Sequence, residues 1–296
     1  MRHRGQRILG LCFLLPALLL YTVFVVYPVV QAFAVSLTLW SGYTPDKEFV
    51  GTENYTTVLG DYVFWGALKN NALLIVVPGL ITLALALYFA QVLARDPKGS
   101  HLFRVTYFFP NVMSVVVVAV LWSYIYHPDF GLFNGFLRLV HAPGELSHKA
   151  WLAQDTLIPA IFAPSVWMAV GFYLVLYLAA IQQIPQELFD AAKVDGASSW
   201  HVFWKVTWPM VWSVNRVAAV FLVLGGLKAF DFIWVFSYGR PALRNHTMAT
   251  WVYQKAITQY DMGYGTALSV VMFVLVFAAS VLTFRLASRR EAALLE

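Results

Sequence analysis

Six long apolar runs set the plan of the chain: about Ile8 to Leu39, Asn70 to Leu93, Val105 to Tyr126, Leu157 to Ile181, Val211 to Phe236 and Thr266 to Ala287. Each reaches the roughly 20 residues that an α-helix needs to cross a hydrocarbon core. No water is present there to meet a free backbone group, so the runs are predicted as helices. Residues 182–210 have the opposite pattern, a polar island that reads QELFDAAKVDGASSWHVFWKVTWP from Gln186 to Pro209. It is predicted as two short helices joined by a sharp turn. Pro185 suits the first helical turn, where its missing N–H costs nothing, and Glu187 and Asp190 put negative charge near that helix's positive end. Leu188, Ala191, Ala192 and Val194 give a mostly small-sided face. Asp195-Gly196 supplies a residue able to take a positive φ, and Ser198 or Ser199 can cap the next helix. Trp200, Trp204, Trp208 and Trp212 then recur every four residues on roughly one face, an indole stripe suited to the headgroup level of a bilayer.

Composition agrees with the pattern. Of 296 residues 60% are hydrophobic, 17% aromatic and 12% charged, against about 25% charged in soluble domains. The chain is predicted to be all-α and polytopic. A pI near 9.2 raises nucleic acid as a partner, but no block of Lys and Arg exists to make such a footprint. Topology explains the excess better. With both ends inside, the cytoplasmic set is Arg2, Arg4, Arg7, Arg95, Lys98, Arg104, Lys193, Lys205, Arg285, Arg289 and Arg290, eleven against seven outside (Lys47, Lys69, Arg138, Lys149, Arg240, Arg244 and Lys255). The bias predicts N-in and C-in, which turns the polar island to the cytoplasm. The basic start and first run also resemble a signal peptide, but the run is about twice an ordinary h-region and is read as an uncleaved span. The single cysteine, Cys12, excludes an intrachain disulfide and is read as an inert buried thiol. No phosphate-cradling G-x-x-x-x-G-K-[ST], no H-E-x-x-H, no G-x-S-x-G and no metal-type histidine spacing occurs. No catalytic residue, metal site or cofactor is therefore assigned to the chain itself.

Within the island, Asp190-Ala191-Ala192 is followed by Asp195-Gly196-Ala197, and Pro209 closes the segment. This resembles the E-A-A loop of permease subunits of bacterial ABC importers, with Asp190 where the family usually has Glu. Gly51, Asn54 and Tyr55 are similar to the G-x-x-N-Y stretch of maltose-type and glycerol-phosphate-type first subunits, and Asp129, Gly131 and Asn134 to their D-x-G-x-x-N outer turn. Ser237-Tyr238-Gly239-Arg240-Pro241 departs from the family's T-G-G-G-P. The resemblance implies a type I ABC importer permease fold of six transmembrane helices, one domain over 1–296, in a bacterial inner membrane. It implies a translocation pathway for a sugar, with a glycerol-phosphate-like solute as the alternative. Glu187, Asp190, Ala191, Ala192, Asp195, Gly196, Ala197 and Pro209 would couple the chain to its ATPase. The implied partners are a second permease subunit in a heterodimer, two cytoplasmic ATPases that use ATP and Mg, and an extracytoplasmic solute-binding protein.

Candidate pathway residues are polar, aromatic or small groups inside the spans: Asn111, Ser114, Trp122, Trp167, Tyr173, Tyr177, Gly225, Phe230 and Asp231. Each also has a structural reading. Asn111 and Ser114 would make interhelical hydrogen bonds, and the aromatics would form belts or packing layers. Lys228 and Asp231 lie three residues apart, so they are predicted to pair on one helix face near the outer end of the fifth span. A rival function, an ion-gradient-driven transporter, would use those two charges and show an inverted repeat with broken helices. No such repeat is visible between the halves.

Overall fold

The computed structural model describes residues 13–295, with side chains to residue 285. Cys12, the start of the first predicted span and the basic residues Arg2, Arg4, Arg7, Arg289 and Arg290 fall outside these side chains. In chain order the elements are α1 (Phe13–Val35), β1 (Thr38–Leu39), β2 (Glu48–Phe49), α2 (Glu53–Gly60), α3 (Tyr62–Leu93), α4 (Ser100–Val112), α5 (Val115–Ile125), α6 (Leu132–Leu139), α7 (Gly144–Ser147), α8 (Leu157–Ala160), α9 (Phe162–Ile181), α10 (Gln186–Val194), α11 (Ser199–Val202), α12 (Trp208–Met210), α13 (Trp212–Leu227), α14 (Asp231–Phe236), α15 (Met248–Tyr253) and α16 (Met262–Leu295). Five stretches among the described residues are long and apolar enough to cross a membrane, and six when the bent pair α4–α5 counts as one span.

Several boundaries differ from the hydropathy pattern, each for a local reason. The first span ends at Val35, and Thr38 and Leu39 instead pair antiparallel with Phe49 and Glu48, adding a small hairpin to the helical fold. The second span starts at Tyr62, eight residues before the apolar run, because Asp61 Oδ1 accepts the Val63 N–H at 2.8 Å and caps the helix ahead of Asn70. Between the second and third runs the chain leaves the helix after Leu93 and resumes it at Ser100, five residues before the run at Val105. The third span is not one helix: α4 and α5 meet at 100°, with Met113 and Ser114 extended at ψ 149° and 134°. Ser114 therefore stands at the N-cap of α5, a position that suits serine, and not inside a helix. Helical turns widen to π geometry over Thr22–Val26 and Phe203–Thr207. Both stand just before a proline, Pro28 and Pro209, whose missing N–H would leave a carbonyl four residues earlier without its donor; a third such turn, Gln254–Thr258, has no proline after it.

The described residues group into two compact units. One holds the chain up to Phe64 together with Trp251–Val274. In it Asn54 donates to the carbonyls of Ser36 and Thr38 at 2.9 and 3.0 Å, closing the end of α1, while Asp61 Oδ2 accepts from Trp251 Nε1 and the Tyr264 hydroxyl at 2.8 and 2.6 Å.

The other unit holds Trp65–Thr250 with the rest of α16. Its core is α9, whose Val170, Leu174, Tyr177, Leu178 and Ile181 are buried with Ala86, Leu87 and Ala90 of α3 and Ala218 of α13. Helix α4 packs on α9 at Gly171, where a Cβ would lie 2.0 Å from the Tyr107 carbonyl oxygen and 2.7 Å from Phe108 Cα. Only the absence of a side chain allows that crossing, the usual role of small residues between membrane helices. Gly171→Val is expected to cost more than the 1–3 kcal/mol of ordinary overpacking, because the obstacle is backbone. Gly79→Ala, with only the Leu222 side chain at 3.4 Å, should melt like the parent; equal melting of both variants would refute the crossing.

Candidate functional site

The fifth span is also broken. Helix α13 ends at Leu227, residues 228–230 are not helical, and α14 starts at Asp231. The expected ion pair is consequently absent: among the described residues Lys228 and Asp231 make no salt bridge. The break separates their helix faces and gives each charge a different partner. Lys228 caps the C-terminal end of α13, and Asp231 opens the first turn of α14. A cation at the first place and an anion at the second both complement the local helix dipole.

A break inside a membrane span frees carbonyls, and these must be satisfied by side chains. Asn71 does most of this. Its Nδ2 donates to the Gly226 and Leu227 carbonyls at 2.6 and 3.1 Å, and its Oδ1 accepts the Met248 N–H at 2.8 Å. Thr247 Oγ1 donates to the Ala229 carbonyl at 2.6 Å, and Asn70 Nδ2 to those of Arg244 and His246, both at 2.8 Å. Asn71 and Thr247 are fully buried. The doublet thus ties α3 to the break and to the loop that follows α14.

The break opens onto a cavity of about 330 Å³, within the range of small-molecule sites. Of the sequence candidates, Asn111, Tyr173, Gly225, Phe230 and Asp231 line it. Lys228, Thr82, Ser165, Phe221 and Phe232 add to its polar and aromatic wall. Phe230 stacks on Trp234 at 5.2 Å and 20°. Ser114, Trp122, Trp167 and Tyr177 are not part of the lining. Trp122 meets Trp167 edge-on at 6.2 Å, and Tyr177, 1% exposed, donates to Asn215 Oδ1 at 2.7 Å. The described contacts of these four are ring packing, an interhelical hydrogen bond and, for Ser114, the bend. Thr82 and Ser165 carry no signal in the sequence, since a hydroxyl on an apolar helix ordinarily bonds its own backbone.

His246, 1% exposed beside the cavity-bearing segment, is held neutral: burial lowers its pKa from 6.5 to about 4. Between those values the unfolded chain binds a proton that the folded chain refuses. The contribution is therefore complete above pH 6.5 and declines as the pH falls toward 4, by up to about 3 kcal/mol. Melting of the purified chain should drop across that window, and His246→Gln should flatten the drop; a parallel profile would remove His246 as its cause.

The polar island folds as two short helices. Helix α10 ends in Asp195, and Gly196 follows at φ +72°. Gly196 N–H bonds the Lys193 carbonyl at 3.0 Å and Ala197 N–H that of Ala192 at 2.9 Å, the paired bonds of a glycine-terminated helix. Pro185 stands at the N-cap and not within the first turn, and of the two serines it is Ser198 that caps α11 through His201 N–H. Asp190 Oδ1 accepts from Lys193 at 3.1 Å and Gln186 at 3.2 Å, and these two donors hold its carboxyl below the usual range. Glu187, Ala191, Asp195 and Gly196 are exposed along this turn, while Ala192, Ala197 and Pro209 are half-buried. The indoles form a continuous file, with Trp200, Trp204, Trp208 and Trp212 at successive ring distances of 5.5, 5.7 and 6.1 Å.

Comparison with known proteins agrees with this architecture. The chain is 33% identical to the probable ABC transporter permease protein YurN of Bacillus subtilis over 95% of its length and 96% of that protein's. It is 34% identical to the diacetylchitobiose uptake system permease protein NgcF of Streptomyces coelicolor, over 92% and 80%. A chain of the bacterial alginate ABC transporter, solved in complex with alginate pentasaccharide-bound periplasmic protein, superposes with a TM-score of 0.83 at 20% identity, covering 98% of this chain and 97% of that one. That likeness shows a type I ABC importer permease fold. The model of the binding-protein-dependent transport system inner membrane component matches residues 80–292, and the chain belongs to that family.

Proposed function

We propose that this inner-membrane permease subunit carries a sugar, and that the cavity at the broken fifth span is part of its pathway. The observation that carries the reading is the cavity's wall. Lys228 and Asp231 are each stabilised by a helix end and not by one another, so both keep hydrogen-bonding capacity for a solute. Asn111, Thr82 and Ser165 add neutral donors and acceptors, and Phe230 and Tyr173 add aromatic faces. Hydroxyl pairs and aliphatic ring faces are what such a wall fits. The NgcF relative is named for a disaccharide, which supports the same class. A glycerol-phosphate-like solute fits less well, since Lys228 is the one cation in the lining and Asp231 offsets it.

The exposed turn of α10 is the proposed coupling element, seated in a cytoplasmic ATPase that uses ATP and Mg, and a second, different permease completes the pathway. ATP-driven closure of the ATPases draws the coupling turns together and opens the pathway outward. Tagged chain from its native membrane should bring down an ATPase, and the reconstituted assembly should take up sugar only with ATP. Asp231→Asn should raise the KM for uptake about tenfold with little change in kcat, the loss of one hydrogen bond to a charged acceptor. A chain that elutes alone and transports without ATP would overturn the coupling, and an unchanged KM would remove Asp231 from the pathway.

A further inference from the structure

A second cavity, of about 620 Å³, lies between the C-terminal ends of α3 and α9 and the inner side of the α10–α11 turn. Its chemistry differs from the first. Arg95 and Lys193 line it, no carboxylate among the described residues does, and the carboxamides of Gln91, Gln182 and Gln186 stand around them. Ile184 and Phe189 supply apolar floor. Arg95 has no ion pair among the described residues. The neighbouring carboxylate, Asp96, is engaged elsewhere, 3.6 Å from Arg104 and bonded by Ser100 at 2.6 Å. Lys193 is paired with Asp190 at 3.1 Å, but both side chains are more than half exposed (71% and 57%). Such a pair is worth little and gives way to a better acceptor.

We propose that this cavity binds a polyol phosphate. A guanidinium with no ion pair among the described residues, beside an ammonium on a flexible stem, takes phosphate oxygens by charge-assisted hydrogen bonds. Carboxamides, which both donate and accept, match the hydroxyls of the attached polyol. The volume suits a ligand of sugar-phosphate size and exceeds what inorganic phosphate would fill. On the orientation set by the basic residues the cavity faces the cytoplasm near the membrane surface, so the same chemistry can arrive from two sources. One is a soluble sugar phosphate; the other is a phosphatidylglycerol headgroup, itself a glycerol phosphate. Either ligand would fasten the coupling turn to the ends of α3 and α9. The inference needs the family's orientation but not the nature of the transported solute.

The test uses the complete transporter in nanodiscs and reads melting temperature. In phosphatidylcholine alone, glucose 6-phosphate is titrated against glucose; in a second arm, phosphatidylglycerol is added with no soluble phosphate. A saturable rise with glucose 6-phosphate but not glucose, or with phosphatidylglycerol, is expected, and the arm that responds identifies the source. Arg95→Gln should weaken the response at least about tenfold and Arg95→Lys, which keeps the charge but loses the fork, by less. The unliganded melts of both variants show whether they fold. No rise in either arm, or a rise unchanged in Arg95→Gln, overturns the proposal. Sugar uptake is not read here, so a failure of the sugar assignment leaves this result intact.

Discussion

Asn71→Leu is expected to remove most uptake and to lower stability by about 2–4 kcal/mol. The substitution keeps roughly the volume of a fully buried side chain and deletes every hydrogen bond that it makes. Three partners are left without it: the Gly226 and Leu227 carbonyls and the Met248 N–H. Interhelical bonds in membranes average about 0.6 kcal/mol and reach about 1–2. A stranded buried group costs about 1–3 kcal/mol. The Gly226 carbonyl keeps the Ala229 N–H at 3.3 Å, but the Leu227 carbonyl and the Met248 N–H sit at the helix break, where no neighbouring turn takes them up. The functional loss exceeds the loss in stability, because Asn71 holds the backbone that places Lys228 and Asp231 in the cavity wall. A displacement of about 1 Å at such a site is enough for a hundredfold effect. Melting in nanodiscs and uptake kinetics on the same preparation separate the two consequences. Asn70→Leu, which frees only the loop carbonyls of Arg244 and His246, should melt early yet retain more uptake. If Asn71→Leu melts and transports like the parent, Thr247 alone supports the break and the doublet has no such role.

The doublet also marks where the amino-acid sequence stops being readable by pattern. Each apolar run overlaps a helix, or in the third run a bent helix pair, among the described residues, since an apolar run of sufficient length has few other fates in a chain this poor in charge. Hydropathy placed Asn70 at the edge of the second span. The helix in fact begins at Tyr62, and the two amides lie inside it, serving carbonyls about 155 and 176 positions away. Broken spans are invisible for the same reason. Lys228-Ala229-Phe230 is compatible with a helix until a donor from elsewhere makes the alternative affordable. Two adjacent amides in an apolar run were nonetheless a signal, because burying both demands acceptors that a continuous helix does not provide. The E-A-A-like turn was legible in detail because its determinants are local: a glycine, a capping serine and a four-residue indole period. Gly171 was not, since what it accommodates is the backbone of another helix.

Gly196→Val is expected to abolish uptake while leaving the assembly and its ATPase activity in place. Gly196 is held at φ +72° by the bonds that end α10, a conformation that costs a β-branched residue about 1–2 kcal/mol or more. Among the described residues nothing lies within 4 Å of the position a Cβ would take, so none of them adds a clash. The expected lesion is a shift of the turn that carries Asp190, Ala191 and Ala192, and with it the loss of rigid transmission from the ATPase to the spans. Gly196→Asn separates the two ways in which a side chain can act there. Asparagine adopts the left-handed conformation readily, so it preserves the turn while still projecting into the open space. If valine fails and asparagine transports, backbone geometry is the determinant, and the coupling turn acts as a rigid lever. If both fail with their melts unchanged, the open space at Gly196 is occupied by the partner, and the turn is a contact surface in its own right. Full uptake by the valine variant would mean that coupling passes through some other part of the chain.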